Sequence, residues 1–339
     1  MLPVLDLALV DQGEEAAERF RAALLAASHD IGFFYLVGHG IPAAVTTRAF
    51  DTARAFFDLP LDDKLSVEMV RSPHFRGYTR TGGELTQGRT DWREQIDIGA
   101  EREPVTDPAA APYLRLEGPN LWPEAMPELR TVFTDWETRC SHVGRTLLRQ
   151  WAVALGSAPG VFDDAFARPS TLIKLVRYPG RVDGGRPAQG VGAHQDPGVL
   201  TLLLVEPGKA GLQVEHDGTW LEAPAVEGAF VVNLGELLEF ATGGYLRATV
   251  HRVQSPPPGQ TRLSIPFFLN PALDSRMPSL VLPPHLAAQA RGVSDDPANV
   301  ISGTFGDNLL KARLRAHPDV AAAHHPDLVG PRDDRARHP

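Results

Sequence analysis

From Ser170 onward the apolar residues stop recurring at three- and four-residue spacing and begin to alternate. Thr171-Leu-Ile-Lys-Leu-Val-Arg-Tyr-Pro179 puts Lys174, Val176 and Tyr178 on one face of an extended segment and Leu175 and Arg177 on the other. Similar runs follow near 199–205, 211–215, 219–222, 229–234, 248–254 and 261–269, parted by turns such as Pro256-Pro-Pro-Gly259. Many short strands at close intervals indicate a β-sandwich or jelly roll. The expected fold class is therefore mainly β with flanking α.

The flanking helices lie upstream. Ala17, Phe20, Leu24 and Ala27 give Glu14 to His29 an amphipathic helical spacing. Gly32-Phe-Phe-Tyr-Leu-Val-Gly-His39-Gly-Ile-Pro42 reads as a buried strand ending in a glycine turn, and Pro42 opens a second helix that runs to about Phe57. Between Pro127 and Leu155, Val132, Trp136, Cys140, Val143, Leu147, Leu148 and Trp151 mark a long helix of the kind that backs a sheet, ended by Gly156. Gly306 to His317 reads as a last helix, stopped at Pro318.

Two of the strand-like runs carry the chemistry. Gly190-Val-Gly-Ala-His194-Gln-Asp196-Pro-Gly-Val-Leu-Thr-Leu-Leu-Leu204 sets a His and an Asp two apart, so both side chains leave an extended chain on one side. A single His follows much later in Ala-Thr-Val-His251-Arg-Val. Two imidazoles and one carboxylate on one face of a metal leave its opposite face open, an arrangement suited to non-haem Fe(II). Beyond it, Thr-Arg262-Leu-Ser264-Ile-Pro-Phe-Phe268-Leu aims a guanidinium and a hydroxyl, again two apart, at one carboxylate. Each motif alone is weak evidence. His39, between glycines at a strand end, and His324–His325, in a Pro-flanked segment, read as structural or incidental rather than as ligands.

Together and in this order the motifs resemble the 2-oxoglutarate/Fe(II)-dependent dioxygenase family, in its isopenicillin-N-synthase-like branch. Gly-Ala-His194-Gln-Asp196-Pro-Gly-Val-Leu-Thr-Leu-Leu, Val-Asn233-Leu-Gly-Glu-Leu-Leu-Glu-Phe-Ala-Thr-Gly-Gly and Arg262-Leu-Ser264-Ile-Pro-Phe-Phe-Leu carry the likeness, with the Gly-Phe-Phe-Tyr segment at 32–35. The resemblance implies a double-stranded β-helix (jelly roll) core with an N-terminal helical module and a C-terminal helix. It divides the chain into an N-terminal module at 1–120, a backing helix and connection at 121–169, the core with its last helix at 170–320, and a disordered tail at 321–339. It also implies Fe(II) held by His194, Asp196 and His251, with 2-oxoglutarate and O2 as co-substrates.

On this resemblance the distal carboxylate of 2-oxoglutarate would meet Arg262, Ser264 and the hydroxyl of Tyr178. Many relatives have Asn-Tyr-Tyr-Pro where this chain has Val176-Arg-Tyr178-Pro, so the Asn that helps orient the other end is missing. Lys174, on the same strand face, is the candidate replacement. Arg76, Tyr78, Asn233 and Phe268 are the candidates for contact with the prime substrate, a small molecule. The implied reaction couples decarboxylation of 2-oxoglutarate to succinate and CO2 with hydroxylation, or with desaturation or cyclisation. Two alternatives stay open: an Fe(II) oxidase of the isopenicillin N synthase or ACC oxidase type, which uses no 2-oxoglutarate, and a non-catalytic jelly-roll binding protein.

Composition narrows the partners. The net charge is −9, from 33 basic against 42 acidic residues, and no basic stripe with interleaved aromatics points to nucleic acid. One cysteine, Cys140, excludes an internal disulfide and suits a reducing compartment. No signal peptide is read at the start, and no apolar run approaches ~18 residues, so no membrane partner is expected and a cytoplasmic location is. Oligomeric state is not legible.

Overall fold

The alternation read from Ser170 is the inside and outside of a closed β-structure. The computed structural model describes residues 1–183, 186–293 and 301–329. Its larger sheet has eight strands in the spatial order Val4–Asp6, Phe33–Val37, Phe230–Leu234, Leu200–Val205, Thr261–Asn270, Ser170–Pro179, Glu94–Gly99 and Gly77–Thr79. A four-stranded sheet, Gln189–His194, His251–Gln254, Leu212–His216 and Thr219–Glu222, faces it. Strands from the N-terminal segment thus close both edges of the large sheet, in continuous register with strands of the 170–320 segment.

Successive residues of each strand enter different cores, as the pleat requires. Phe34, Val232, Leu202, Phe267 and Leu175 belong to the outer cluster; Phe33, Tyr35, Val231, Val176 and Tyr178 belong to the inner one. The outer face is covered by helices Glu14–Asp30, Ala43–Phe57 and Glu128–Ala154. Trp136, Leu147 and Trp151 of the long helix are fully buried against it. Truncating either Trp would cost about 3–5 kcal/mol. The helix lies so close that a Cβ at Gly144 would come within 2.6 Å of Leu269. It ends as read: Gly156, at φ +78, and Ser157 return their amides to Val153 and Ala152.

The C-terminal segment departs from expectation. The helix expected to be last, Phe305–Ala316, does stop before Pro318, but Pro318 then opens a further short helix, Pro318–His324. The segment from 321, expected as a disordered tail, is ordered to Val329. His324 Nε2 meets the Val70 carbonyl at 2.7 Å, and His325 Nε2 meets that of Pro73 at 2.8 Å with its ring stacked on Phe75. Side-chain bonds to backbone 254 and 252 residues away, not sequence pattern, hold this segment. Residues 330–339 of the expected tail lie outside the described residues. His39 is structural, its Nε2 facing the Gly228 carbonyl at 3.2 Å. No described helix is long and apolar enough to cross a membrane.

Candidate active site

His194 ends one strand of the small sheet and His251 begins the strand beside it, the two in register as cross-strand partners. Asp196 lies two residues beyond His194. One ligand atom from each of the three falls within 4.8 Å of the others. His194 Nε2 and His251 Nε2 stand 3.6 and 3.9 Å from the same oxygen, Asp196 Oδ1.

Each side chain is turned by a bond on its far side. His194 Nδ1 faces the Gly192 carbonyl at 2.8 Å and His251 Nδ1 faces that of Thr249 at 3.0 Å. A carbonyl accepts only, so Nδ1 carries the proton in both rings and Nε2 presents a lone pair to the shared space. Asp196 Oδ2 accepts from Thr201 Oγ1 and from Asn233 Nδ2, the latter at 2.7 Å, which leaves Oδ1 for the imidazoles' side.

The electrostatics suit a cation. Burial, then the neighbouring His194, pushes His251 down to about 4, so its ring is neutral near pH 7. Burial works to raise the Asp196 pKa, but His251, His194 and the two hydrogen bonds outweigh it and hold the carboxyl below its usual range. Two nitrogen donors and one ionised oxygen, converging from one side, are the donor set of a 2-His-1-carboxylate iron centre.

The inner face also carries a buried cation. Arg262 is 1% exposed, yet none of its three guanidinium nitrogens has a hydrogen-bond partner among the described residues. Its guanidinium carbon lies 4.9 Å from the ring centre of Tyr178, its cross-strand neighbour. Ser264, two residues on, is buried on the same face opposite Val176. Gly190 makes room: a Cβ there would approach the Tyr178 ring to 3.0 Å. A buried guanidinium without a partner is costly unless an anion completes it. The carboxylate of a keto diacid fits that requirement.

Lys174 has a different setting. Its ammonium lies 2.8 Å from Glu84 and 3.5 Å from Asp97, inside a buried network in which Arg93 also pairs with Glu84 and Asp91, and Arg313 with Asp97. Lys174 is therefore neutralised by the protein, and the expectation that it replaces the missing Asn at 2-oxoglutarate is corrected.

The substrate candidates divide. Phe268 is half-buried on the inner face beside Thr201, the residue that bonds Asp196. Asn233 donates from Nδ2 to Asp196 Oδ2 at 2.7 Å and so orients the carboxylate. Tyr78 faces outward, packed on Phe56 with its hydroxyl 2.7 Å from Glu94, because Gly77 and Thr79 take the inner face. Arg76 spends its terminal nitrogens on the His74 and Leu116 carbonyls within the wall. Neither of these two meets the triad.

Sequence reading missed Glu84, Asp91, Arg93, Asp97 and Arg313. A signal was present for three of them: in Asp91-Trp-Arg93-Glu-Gln95-Ile-Asp97 every odd position is polar, the pattern of a polar inner face, although Glu94 on the other face is polar too.

Comparison with known proteins gives a consistent result. Residues 2–125 match the family described as non-haem dioxygenase in morphine synthesis N-terminal, and residues 170–271 match the 2OG-Fe(II) oxygenase superfamily. The chain is 35% identical over 338 residues to a 2-oxoglutarate-dependent dioxygenase, frbJ, of Dothideomycetidae sp. (strain 11243), covering 94% of this chain and 90% of that one. It is 35% identical over 254 residues to a homoarginine-6-hydroxylase of Arabidopsis thaliana, covering 74% and 76%. Among solved structures, a full-length Neurospora crassa protein in complex with alpha-KG and thymine superposes with a TM-score of 0.74 at 26% identity, covering 91% and 96%.

Proposed function

The chain belongs to the 2OG-Fe(II) oxygenase superfamily, and from that premise we propose that His194, Asp196 and His251 hold the ferrous ion while Arg262, Ser264 and Tyr178 seat the distal carboxylate of 2-oxoglutarate. The enzyme is a 2-oxoglutarate-dependent dioxygenase. One O2 and one 2-oxoglutarate yield succinate, CO2 and a substrate in which, for hydroxylation, C–H has become C–OH. The iron supplies the site at which O2 and the keto acid react.

The residues of the chain bind and orient. Thr201 and Asn233 fix the Asp196 carboxylate, the Gly192 and Thr249 carbonyls fix the two rings, and the apolar inner face around Val176, Val191 and Val253 excludes water. The observation that carries this reading is Arg262, a buried cation that faces the Tyr178 ring and has no carboxylate or hydrogen-bond partner among the described residues, on the inner face of the β-structure that carries the triad. The two alternatives give way to it. Relatives carrying 2-oxoglutarate-dependent dioxygenase names argue against the iron oxidases, and a full ligand set argues against a binding protein.

The prime substrate in this proposal is a small molecule that reaches the iron past Phe268 and Leu172, both half-buried on the inner face. An amino-acid-derived metabolite of a biosynthetic route is favoured by the homoarginine-6-hydroxylase relatives. A cytoplasmic setting belongs to the same proposal, on the strength of the lone buried Cys140. The test is a metabolite screen for succinate release that needs Fe(II), 2-oxoglutarate and O2 together. Substrate-stimulated succinate supports the reading; turnover of a substrate without 2-oxoglutarate contradicts it.

A further inference from the structure

The strand that carries His194 is irregular. Between the pairs Gln189↔Gln254 and His194↔His251 its register shifts twice, so six residues face four. Such bulges bend a strand and leave amides without ladder partners, and next to a site they re-aim a side chain. Here the bend lies immediately before the metal ligand.

Asp91, 0% exposed and in the turn before strand Glu94–Gly99, takes up the freed groups. Its Oδ1 accepts from the Gly192 amide at 3.0 Å and from Gln189 Nε2 at 2.9 Å. Its Oδ2 accepts from Thr86 Oγ1 at 2.7 Å and pairs with Arg93 at 3.2 Å. The neighbouring Trp92 amide donates to the Gln189 carbonyl at 2.8 Å. The same Gly192 peptide segment offers its carbonyl to His194 Nδ1. The approach is close, since a Cβ at Gly192 would meet Thr86 and Gln189 at 2.9 Å and displace them.

We infer that Asp91 is a positioning residue for the metal site: by anchoring the bulged strand at Gly192 it sets the direction of the His194 ring. The inference rests on the assignment of His194 as a ligand. Groups that orient a metal-bound imidazole typically govern metal affinity by about 10–100-fold.

The test uses the full-length apo-protein, titrated with Mn(II) and followed by electron paramagnetic resonance, with thermal melting and the Co(II) absorption spectrum recorded alongside. Asp91→Ala should raise the Mn(II) Kd about 10–100-fold and alter the Co(II) bands. Asp91→Asn keeps an oxygen for Gly192 and should restore both. Glu84→Gln, in the same charge network but making no described contact with strand Gln189–His194, should lower the melting temperature and leave the Kd within about twofold. An Asp91→Ala Kd equal to wild type overturns the inference, as does a Glu84→Gln loss of equal size. Failure of the wild type to bind Mn(II) overturns the triad assignment itself.

Discussion

Two buried cations project from the inner face of this barrel, and they have opposite surroundings. Arg262, 1% exposed, faces the Tyr178 ring and has no carboxylate or hydrogen-bond partner among the described residues; Lys174, 8% exposed, is enclosed by Glu84 and Asp97. Sequence position treats them alike, since each shares an inward strand face with another candidate, Arg262 with Ser264 two residues on and Lys174 with Tyr178 four residues on. The difference teaches that burial and face do not separate a ligand seat from scaffold. The inventory of partners does: one cation lacks a carboxylate among the described residues, which is why it is proposed as the seat, and the other already has two.

The comparison can be broken most easily at Lys174. Lys174→Ala leaves Glu84 and Asp97 short of a cation, which should lower unfolding stability by about 3–5 kcal/mol while barely changing 2-oxoglutarate affinity. Denaturant unfolding and calorimetry on the same variant check both halves. A large loss of affinity at intact stability would put Lys174 back at the co-substrate.

Arg262→Ala should show the reverse. Loss of one member of a buried charge pair typically costs about 2–5 kcal/mol of binding, here read as a weaker anaerobic 2-oxoglutarate Kd. Apo stability should not fall in proportion, because the variant removes an uncompensated charge.

A pH series sharpens the scaffold side. Burial pushes His317 down to about 4, with Glu84 opposing and Lys174, Arg313 and Asp97 also facing it. The unfolded chain takes up this proton near pH 6.5 and the native protein only near 4, so stability is full above about 6.5 and declines as pH falls towards 4, by up to about 3 kcal/mol. His317→Gln should flatten that part of the unfolding profile.

The smallest expected effect is at Asn233. Asn233→Ala frees Asp196 Oδ2 from one of its two donors and should weaken Mn(II) binding about 10–100-fold, leaving 2-oxoglutarate affinity of the metal-saturated protein close to wild type.

Much of this site is legible in the sequence. The spacing of His194 and Asp196, and of Arg262 and Ser264, follows from strand geometry alone, and so does the face shared by Lys174, Val176 and Tyr178. What was hidden depends on chain brought from elsewhere. Glu84, the partner of Lys174, lies 90 positions away. Tyr78 was misplaced because a short strand gives no sign of which parity faces inward until its pairing with Glu94–Gly99 is known. Asn233 reads from the sequence as a contact to the metal site or substrate, or as a turn cap, and its 2.7 Å bond to Asp196 is what ties it to the metal site. The ordered segment after Pro318 is invisible for the same reason, since its anchors are the carbonyls of Val70 and Pro73.

The central claim is that iron and 2-oxoglutarate meet between the triad and Arg262. Its most direct test is anaerobic addition of 2-oxoglutarate to the Fe(II)-loaded protein, followed by visible absorption. A saturable metal-to-ligand charge-transfer band, absent in Asp196→Ala and needing far more 2-oxoglutarate in Arg262→Ala, is the expected result. One tightly bound iron with no such band at any 2-oxoglutarate concentration would contradict the account.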